Sequence, residues 1–322
     1  MLILLLSVVS CNKSIKGQQS SLLPSSTKEK LAEMTKNVNA NNARMWPTVA
    51  LLTDFGDTDA AATCHQMIKR VNRFVDIVDM NHNINPFNVE QASVILQRSK
   101  DFPDKTVFVS VVDPGVGTNR KSIILKAKSR ELYFVGPNNG IFTDVATMYG
   151  IDEIYEIDPI KVNPKWAGWS FDGRDLYSPT GAIVATLGAK VLPEIGKKLS
   201  QDQFIKLDVA SRVVQNGKSI KLKIIAIDEP YGNLWTEVLQ SNLKSIGIDF
   251  DDKVSISTTK GKFIADAKFV HAFAAVAKGA NLAYLDSRNG IGDGYLALGV
   301  NQGDFRKKYH LDTGDFVVIR KK

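Results

Sequence analysis

The rhythm of apolar and polar positions changes along the chain. Between about residues 49 and 200, short apolar runs alternate with longer stretches of helical spacing. Runs at 49–52, 75–80, 106–112, 123–126 and 132–135 are short and predict strands, the one at 106–112 being strongly β-branched. Helical spacing at 59–72, 88–100, 141–149 and 179–192 predicts helices. This alternation predicts an α/β domain with a mainly parallel sheet flanked by helices. After residue 200 no helical period of useful length remains. Short apolar runs at 220–227, 234–237, 253–258, 280–285, 295–298 and 315–319 lie between Gly- and Asp-rich turns. That pattern predicts a smaller all-β domain, a barrel or a sandwich. The expected division is a leading segment over 1–46, the α/β domain over 47–200 and the barrel-like domain over 201–322.

Composition narrows the class. The 322 residues are 44% apolar and 23% charged, which excludes disordered, collagen-like and coiled-coil chains. The net charge of +7 is confined to the two ends. Residues 1–46 carry a surplus of +4 and residues 299–322 a surplus of +3, so the intervening body is neutral. A nucleic-acid binder places its basic excess on the folded body, so nucleic acid is not an expected partner. Cys11 and Cys64 are the two cysteines and make no disulfide framework. Cys64 reads as a small buried hydrophobe. No apolar run reaches the roughly 18 to 20 residues that span a bilayer.

The leading segment has its own logic. Residues 1–10, MLILLLSVVS, are apolar and stand directly before Cys11. Val8-Val9-Ser10-Cys11 resembles a bacterial lipobox, in which the cysteine carries a diacylglyceryl group. A basic stretch does not precede it, and the other reading is a plain hydrophobic N-terminus. Lipidation at Cys11 implies a cell-envelope protein, periplasmic or surface-exposed, that touches membrane through the anchor alone. Several acyl chains on one residue hold stably where a single chain does not. Residues 12–46, rich in Asn, Ser, Lys and Gln, read as a polar linker with a short helix around 27–34.

Five short motifs carry candidate chemistry. Thr53-Asp54-Phe55-Gly56 follows the first strand, where ligands of parallel sheets bind. Its Asp54 carboxylate can hold a vicinal diol such as ribose hydroxyls, or cap the next helix. Asp113-Pro114-Gly115-Val116-Gly117-Thr118-Asn119-Arg120 is Gly-rich, but no Gly-Lys-Ser/Thr follows, which rejects a P-loop. Asp113 and Arg120 can pair across this loop, as a plain ion pair or as part of a site. Asp54, Asp113 and Asn138 all follow expected strands and should share one sheet edge. Phe171-Asp172-Gly173-Arg174-Asp175 reads as a turn before a capped helix or as the wall of a site. In Asp228-Glu229-Pro230-Tyr231-Gly232-Asn233-Leu234-Trp235-Thr236, the flanking Asp228 and Trp235 bind an amine and a planar ring, or close a hairpin. Asp286-Ser287-Arg288 has no specificity alone. The four histidines, His65, His82, His271 and His310, show no metal-ligand spacing, and no metal is expected. No G-x-S-x-G elbow occurs.

Jointly and in this order, these motifs resemble the SAM hydroxide adenosyltransferase family (SAM hydrolases), relatives of the fluorinating and chlorinating SAM enzymes. Thr-Asp-Phe-Gly, Val-Asp-Pro-Gly-Val-Gly-Thr, Gly-Pro-Asn-Asn-Gly, Phe-x-Gly-Arg-Asp and Gly-Asn-x-Trp-Thr carry the resemblance, which covers about residues 49 to 318. It implies an α/β domain, a C-terminal β-barrel and a homotrimer with sites between subunits. It implies hydrolysis of S-adenosyl-L-methionine to adenosine and methionine, with no cofactor. By the same resemblance, Asp113 and Arg120 match two members of an Asp–Arg–His water-positioning triad. Asp54 would hold the ribose hydroxyls, Phe87 would lie near the ribose, and Asp228 would take the substrate's amino group. Ser287, followed by Arg288, would take its carboxylate. Asn233 would face the adenine and Phe273 would stack on it. The halogenating relatives carry Tyr where Asp113 stands, and an acid there repels halide.

The chain departs from the family pattern in two places. Asp172 stands where the family has the triad histidine, so two acids share the catalytic set with Arg120, and one of the pair can hold a proton; in the other reading Asp172 pairs with Arg174 or Arg120 and only shapes the loop. An insertion at 289–293 precedes the Gly-Tyr-Leu strand. The alternative to a hydrolase is a tethered, catalytically weak adenosine- or SAM-binding protein that has lost its histidine.

Overall fold

The computed structural model describes residues 47–168, 170–286 and 294–322. The expectations for Cys11, the lipobox, the linker, Ser287, Arg288 and the insertion at 289–293 fall outside the described residues. The described chain forms two compact units. The first comprises residues 47–89, Pro103–Phe142 and Ala146–Ile205; the second comprises Glu90–Phe102, Thr143–Val145 and Lys206–Lys322. The division is therefore not a single cut in the chain.

The first unit is built on a seven-stranded sheet in the order β2-β1-β3-β5-β4-β6-β7. The strands are β1 (Thr48–Thr53), β2 (Asp76–Asn81), β3 (Val107–Val111), β4 (Ser122–Ala127), β5 (Tyr133–Pro137), β6 (Ile151–Ile157) and β7 (Gly196–Leu199). β2, β1, β3 and β5 run parallel, whereas β4 is antiparallel to β5 and β6, and β7 to β6. The sheet is thus mixed, parallel on one half only. Every residue of β3 and β5 is buried, as strands covered on both faces require, so they read as unbroken apolar runs.

Helix α1 (Asp59–Val71) starts at Thr58, whose hydroxyl accepts the Ala60 N–H at 3.3 Å. Asp59 in its first turn and Lys69 and Arg70 in its last suit the helix dipole. It buries Cys64, Met67, Ile68 and Val71, one stripe at helical spacing. Helix α2 (Val89–Leu96) continues as a 3₁₀ turn over Gln97–Asp101, so the expected helix at 88–100 tightens in its second half. Helices α3 (Thr143–Tyr149) and α4 (Pro159–Val162) are short. Helix α5 (Ser178–Leu187) stops where Gly188 takes φ 68°, before the end expected at 192. α5 lies so close to the sheet that a Cβ on Gly181 would sit 2.3 Å from Val109 Cγ2. Only glycine permits that approach. The short α6 (Leu192–Ile195) leads into β7.

The second unit is dominated by a nine-stranded sheet in the order β10-β11-β15-β14-β13-β12-β16-β9-β8. Its strands are β8 (Val213–Asn216), β9 (Ser219–Lys223), β10 (Ala226–Asp228), β11 (Asn233–Leu239), β12 (Lys253–Thr258), β13 (Phe263–Phe269), β14 (Asn281–Asp286), β15 (Tyr295–Val300) and β16 (Phe316–Lys321). Its pairings are antiparallel except for β13 with β14. Short helices α7 (Gln240–Ser245) and α8 (Phe305–Tyr309) accompany the sheet. Strand β13 alternates buried Ala265, Ala267 and Phe269 with more exposed residues, a half-buried pattern whose small side chains hid it from an apolar-run reading. Among the described residues no helix is long and apolar enough to cross a membrane.

A buried ion cluster ties this second unit together. Arg212, 1% exposed, meets Glu90 at 2.8 Å, Asp144 at 2.9 Å and Glu237 at 2.8 Å. Ser93 donates to Asp144 at 2.6 Å, and Lys223 also pairs with Glu90. Burial pushes the Glu237 carboxyl up, and the Arg212 charge only partly offsets this. Removing one partner of a buried pair strands the others at a cost of about 3–5 kcal/mol. Arg212→Ala is therefore expected to lower stability by about that amount in chemical denaturation; a loss below about 1 kcal/mol, typical of a surface pair, would contradict it.

Candidate active site

The parallel half of the first unit's sheet sends β1, β3 and β5 toward one edge, and the loops after them carry Asp54, Asp113 and Asn138. Asn138 fastens the chain locally, since its amide donates to Gln203 O at 2.8 Å and its carbonyl accepts from Ile205 N at 3.0 Å. Asp54 does not cap α1; Thr58 does. Instead Asp54 Oδ2 accepts the N–H of Phe87 at 2.9 Å. Phe87 holds φ 66°, rare for a bulky side chain, and the residue is 69% exposed. Strained backbone of this kind clusters at active sites and ligand clamps.

Asp113 and Arg120 do pair, and Asp172 joins them. Arg120 Nε donates to Asp113 Oδ2 at 2.7 Å, and its Nη2 contacts the same oxygen. Nη2 also donates to Asp172 Oδ2 at 2.9 Å, and Nη1 to Ser122 Oγ at 2.8 Å. The remaining carboxylate oxygens are also engaged. Asp113 Oδ1 accepts Gly115 N at 3.1 Å, and Asp172 Oδ1 accepts the Trp166 indole N–H at 3.1 Å. The three side chains are 12%, 5% and 7% exposed for Arg120, Asp113 and Asp172. Burial works against the guanidinium's charge, but hydrogen bonds to Asp113 and Asp172 outweigh it and hold the proton more firmly than usual. Below the trio, Tyr177 hydrogen-bonds Ser122 at 2.9 Å and lies 5.7 Å under the guanidinium. Burial first, then the two acids, push its phenol up, so it stays neutral.

The loop holding Asp172 is shaped by a wide turn. Gly173–Tyr177 closes with the Ser178 N–H on Gly173 O, a bond that spans one residue more than in an α-helix. Ser178 Oγ donates to the same carbonyl at 2.7 Å. Phe171 packs edge-on to Phe55 at 5.5 Å, and a Cβ on Gly173 would lie 2.9 Å from Phe55 Cζ. The turn after β1 and the Asp172 turn are thus neighbours.

In the second unit, Asp228 and Asn233 face each other across the β10–β11 hairpin, and Asn233 Nδ2 donates to Asp228 Oδ2 at 3.0 Å. They line an open pocket of ≈ 840 Å³ together with Phe273, Tyr284 and Asp286. Phe273 stands 4.9 Å from Tyr284 at its wall. The structure therefore brings three of the expected binding residues together. Trp235, by contrast, packs under Arg98 at 5.2 Å. The sequence reading missed one grouping in the first unit: His65, Asp79 and His82 meet. Their separation in the sequence, on a helix and at a strand end, left no motif to find.

The chain matches the domain model described as SAM hydroxide adenosyltransferase N-terminal domain over residues 49–192, and the matching C-terminal domain over 222–318. It belongs to the SAM hydroxide adenosyltransferase family. It is 29% identical over 299 residues to a fluorinase of Actinoplanes sp., covering 85% of this chain and 98% of that one. It is 33% identical over 196 residues to the (R)-S-adenosyl-L-methionine hydrolase of Methanocaldococcus jannaschii, covering 59% and 66%. The crystal structure of an uncharacterized conserved protein from Thermotoga maritima superposes with a TM-score of 0.75 at 34% identity, covering 84% of this chain and 99% of that one.

Arg120 bridges two acids through a planar fork that an ammonium cannot reproduce. Arg120→Lys is expected to destabilise the protein by about 3 kcal/mol, the scale of one or two lost hydrogen bonds to a charged group. A thermal or urea melt within error of wild type would show that the fork is not needed.

Proposed function

We propose that the protein hydrolyses S-adenosyl-L-methionine to adenosine and L-methionine, by attack of water on the ribose 5′ carbon. The buried Asp113–Arg120–Asp172 trio carries this reading, together with the fluorinase and SAM hydrolase relatives. The leaving thioether is neutral once the sulfonium departs, so no general acid is required. What the site must supply is a positioned oxygen in line with the carbon–sulfur bond. The hydrogen bonds of Arg120 Nε, Nη1 and Nη2 run to Asp113, Asp172 and Ser122. A water that donates its hydrogens to the carboxylate oxygens of the trio turns a lone pair outward, and the same carboxylates accept the proton released on attack. With both acids ionised the trio carries a formal charge of −1. That attracts a sulfonium and repels a halide, which favours hydrolysis over the halogenation named for the fluorinase relative.

In this reading Asp54 holds the ribose diol beside Phe87, Asp228 takes the amino group, Asn233 faces the adenine and Phe273 stacks on it. Ser287 receives the methionine carboxylate, and Arg288 is a further substrate-binding residue. SAM is the substrate and no cofactor is required. The family resemblance further supports a homotrimer, with each site drawing on two subunits, and the lipobox supports an anchor at Cys11 on the cell envelope.

Purified protein incubated with SAM should release adenosine, read by chromatography, and no halogenated nucleoside in chloride or fluoride. SAM binding without adenosine would instead make it a tethered binding protein. Because Asp172 replaces a histidine, wild type should be slow. Asp172→His should raise turnover about tenfold or more, a modest share of the 10²–10⁴ that a positioned acid–base group contributes. Equal rates for wild type, Asp172→His and Asp172→Asn would make the position a bystander.

Asp54→Ala should weaken adenosine binding at least about a hundredfold, since two charge-assisted bonds of about 1.5–3 kcal/mol each are lost. A calorimetric change under about tenfold would remove Asp54 from the site. Light scattering should give the mass of three chains, and Cys11→Ser should move the protein out of the membrane fraction of its host. A monomer that binds ligand, or an unchanged membrane fraction, would each overturn the corresponding assignment.

A further inference from the structure

One convergence of side chains lies outside every motif used above. His65 is on α1, Asp79 is on β2, and His82 follows β2 directly. His65 Nε2 lies 2.7 Å from Asp79 Oδ1, and His82 Nε2 lies 3.0 Å from that same oxygen. One ligand atom from each residue lies within 4.8 Å of the others. Among the described residues, this is the group of His, Cys, Asp or Glu side chains that meets that spacing. The other ring nitrogen of His82, Nδ1, is 2.8 Å from Thr53 Oγ1.

We propose that His65, Asp79 and His82 form a binding site for a divalent cation of the zinc type. Two imidazole nitrogens and one carboxylate oxygen are the donor set that suits Zn²⁺, with water as a fourth ligand. Three observations favour a ligand set over a plain ion pair. Both rings present the same nitrogen, Nε2, to one oxygen. His82 Nε2 is buried, and the group it faces is Asp79 Oδ1 at 3.0 Å. The far nitrogen of His82 is held by Thr53, the outer contact that orients a metal-binding imidazole. The His65 and Asp79 side chains are 34% and 45% exposed, which leaves an entry path from solvent.

The site would brace the turn that carries Asp54. His82 O accepts the Gly56 N–H at 2.7 Å, and Thr53, which precedes Asp54, contacts the His82 ring. A cation at His82 would fix this segment to α1 through His65.

The test uses the full chain and Zn²⁺ alone. Calorimetric titration should show one Zn²⁺ per chain, and Co²⁺ should give a visible absorption band at the same stoichiometry. His65→Ala and Asp79→Asn should each weaken Zn²⁺ binding by about tenfold or more. Zn²⁺ should raise the melting temperature of wild type but not of His65→Ala. His65 sits half-exposed on a helix, and a circular dichroism spectrum matching wild type confirms that the variant is folded. Absence of saturable binding to wild type, or unchanged affinity in folded His65→Ala, overturns the site. A lower melting temperature in His65→Ala with no Zn²⁺ effect on wild type also overturns it, and marks the cluster as an ion pair.

Discussion

The parallel pairing of β1 with β2 and β3, and of β3 with β5, is the constraint on which the site depends. Parallel strands need both faces covered, and this sheet meets the demand with unbroken apolar runs and with α5 pressed against Val109. Parallel strands also finish at the same edge. Asp54 and Asp113 are therefore placed side by side in the fold by the direction of the chain, before any contact between side chains is considered. The antiparallel half, β4, β6 and β7, extends the sheet without adding such ends.

At that edge the electrostatics are set by one guanidinium serving two acids. Taking carboxylates out of water is costly unless each finds a cation and hydrogen bonds. Arg120 supplies the cation, and Gly115 N–H and the Trp166 indole satisfy the outer oxygens. Asp172 is thus one arm of a closed network, held by Arg120 and the Trp166 indole.

Much of this was legible in the sequence. Strands β1, β3 and β5 are apolar runs, and the motif after each marks a strand end, so the shared edge followed from pattern alone. The pairing of Asp113 with Arg120 was open between two readings, because seven residues of loop permit contact without requiring it. For Asp172 the partner was open between Arg120 and Arg174, because the choice of Arg120 depends on a wide turn that no local signal announces. Strand β13 escaped notice because Ala265 and Ala267 are too small to mark a buried face. The end of α5 at Gly188 was missed because apolar spacing continues past it. The Arg212 cluster and the His65–Asp79–His82 group draw on residues far apart in sequence, and only tertiary structure brings them together.

Cys64 carries a consequence of a different kind. It is 1% exposed on the inner face of α1, and burial pushes its thiol up to about 11. At neutral pH only about one such thiol in 10⁴ is ionised, and the thiolate is the form that reacts. Electrophiles and oxidants will pass over it while the core is closed. Once α1 lifts from the sheet, the thiol reverts to ordinary reactivity. The protein therefore carries an internal chemical clock for opening of its first unit: the rate at which Cys64 is alkylated measures how often that core breathes, without any probe being introduced.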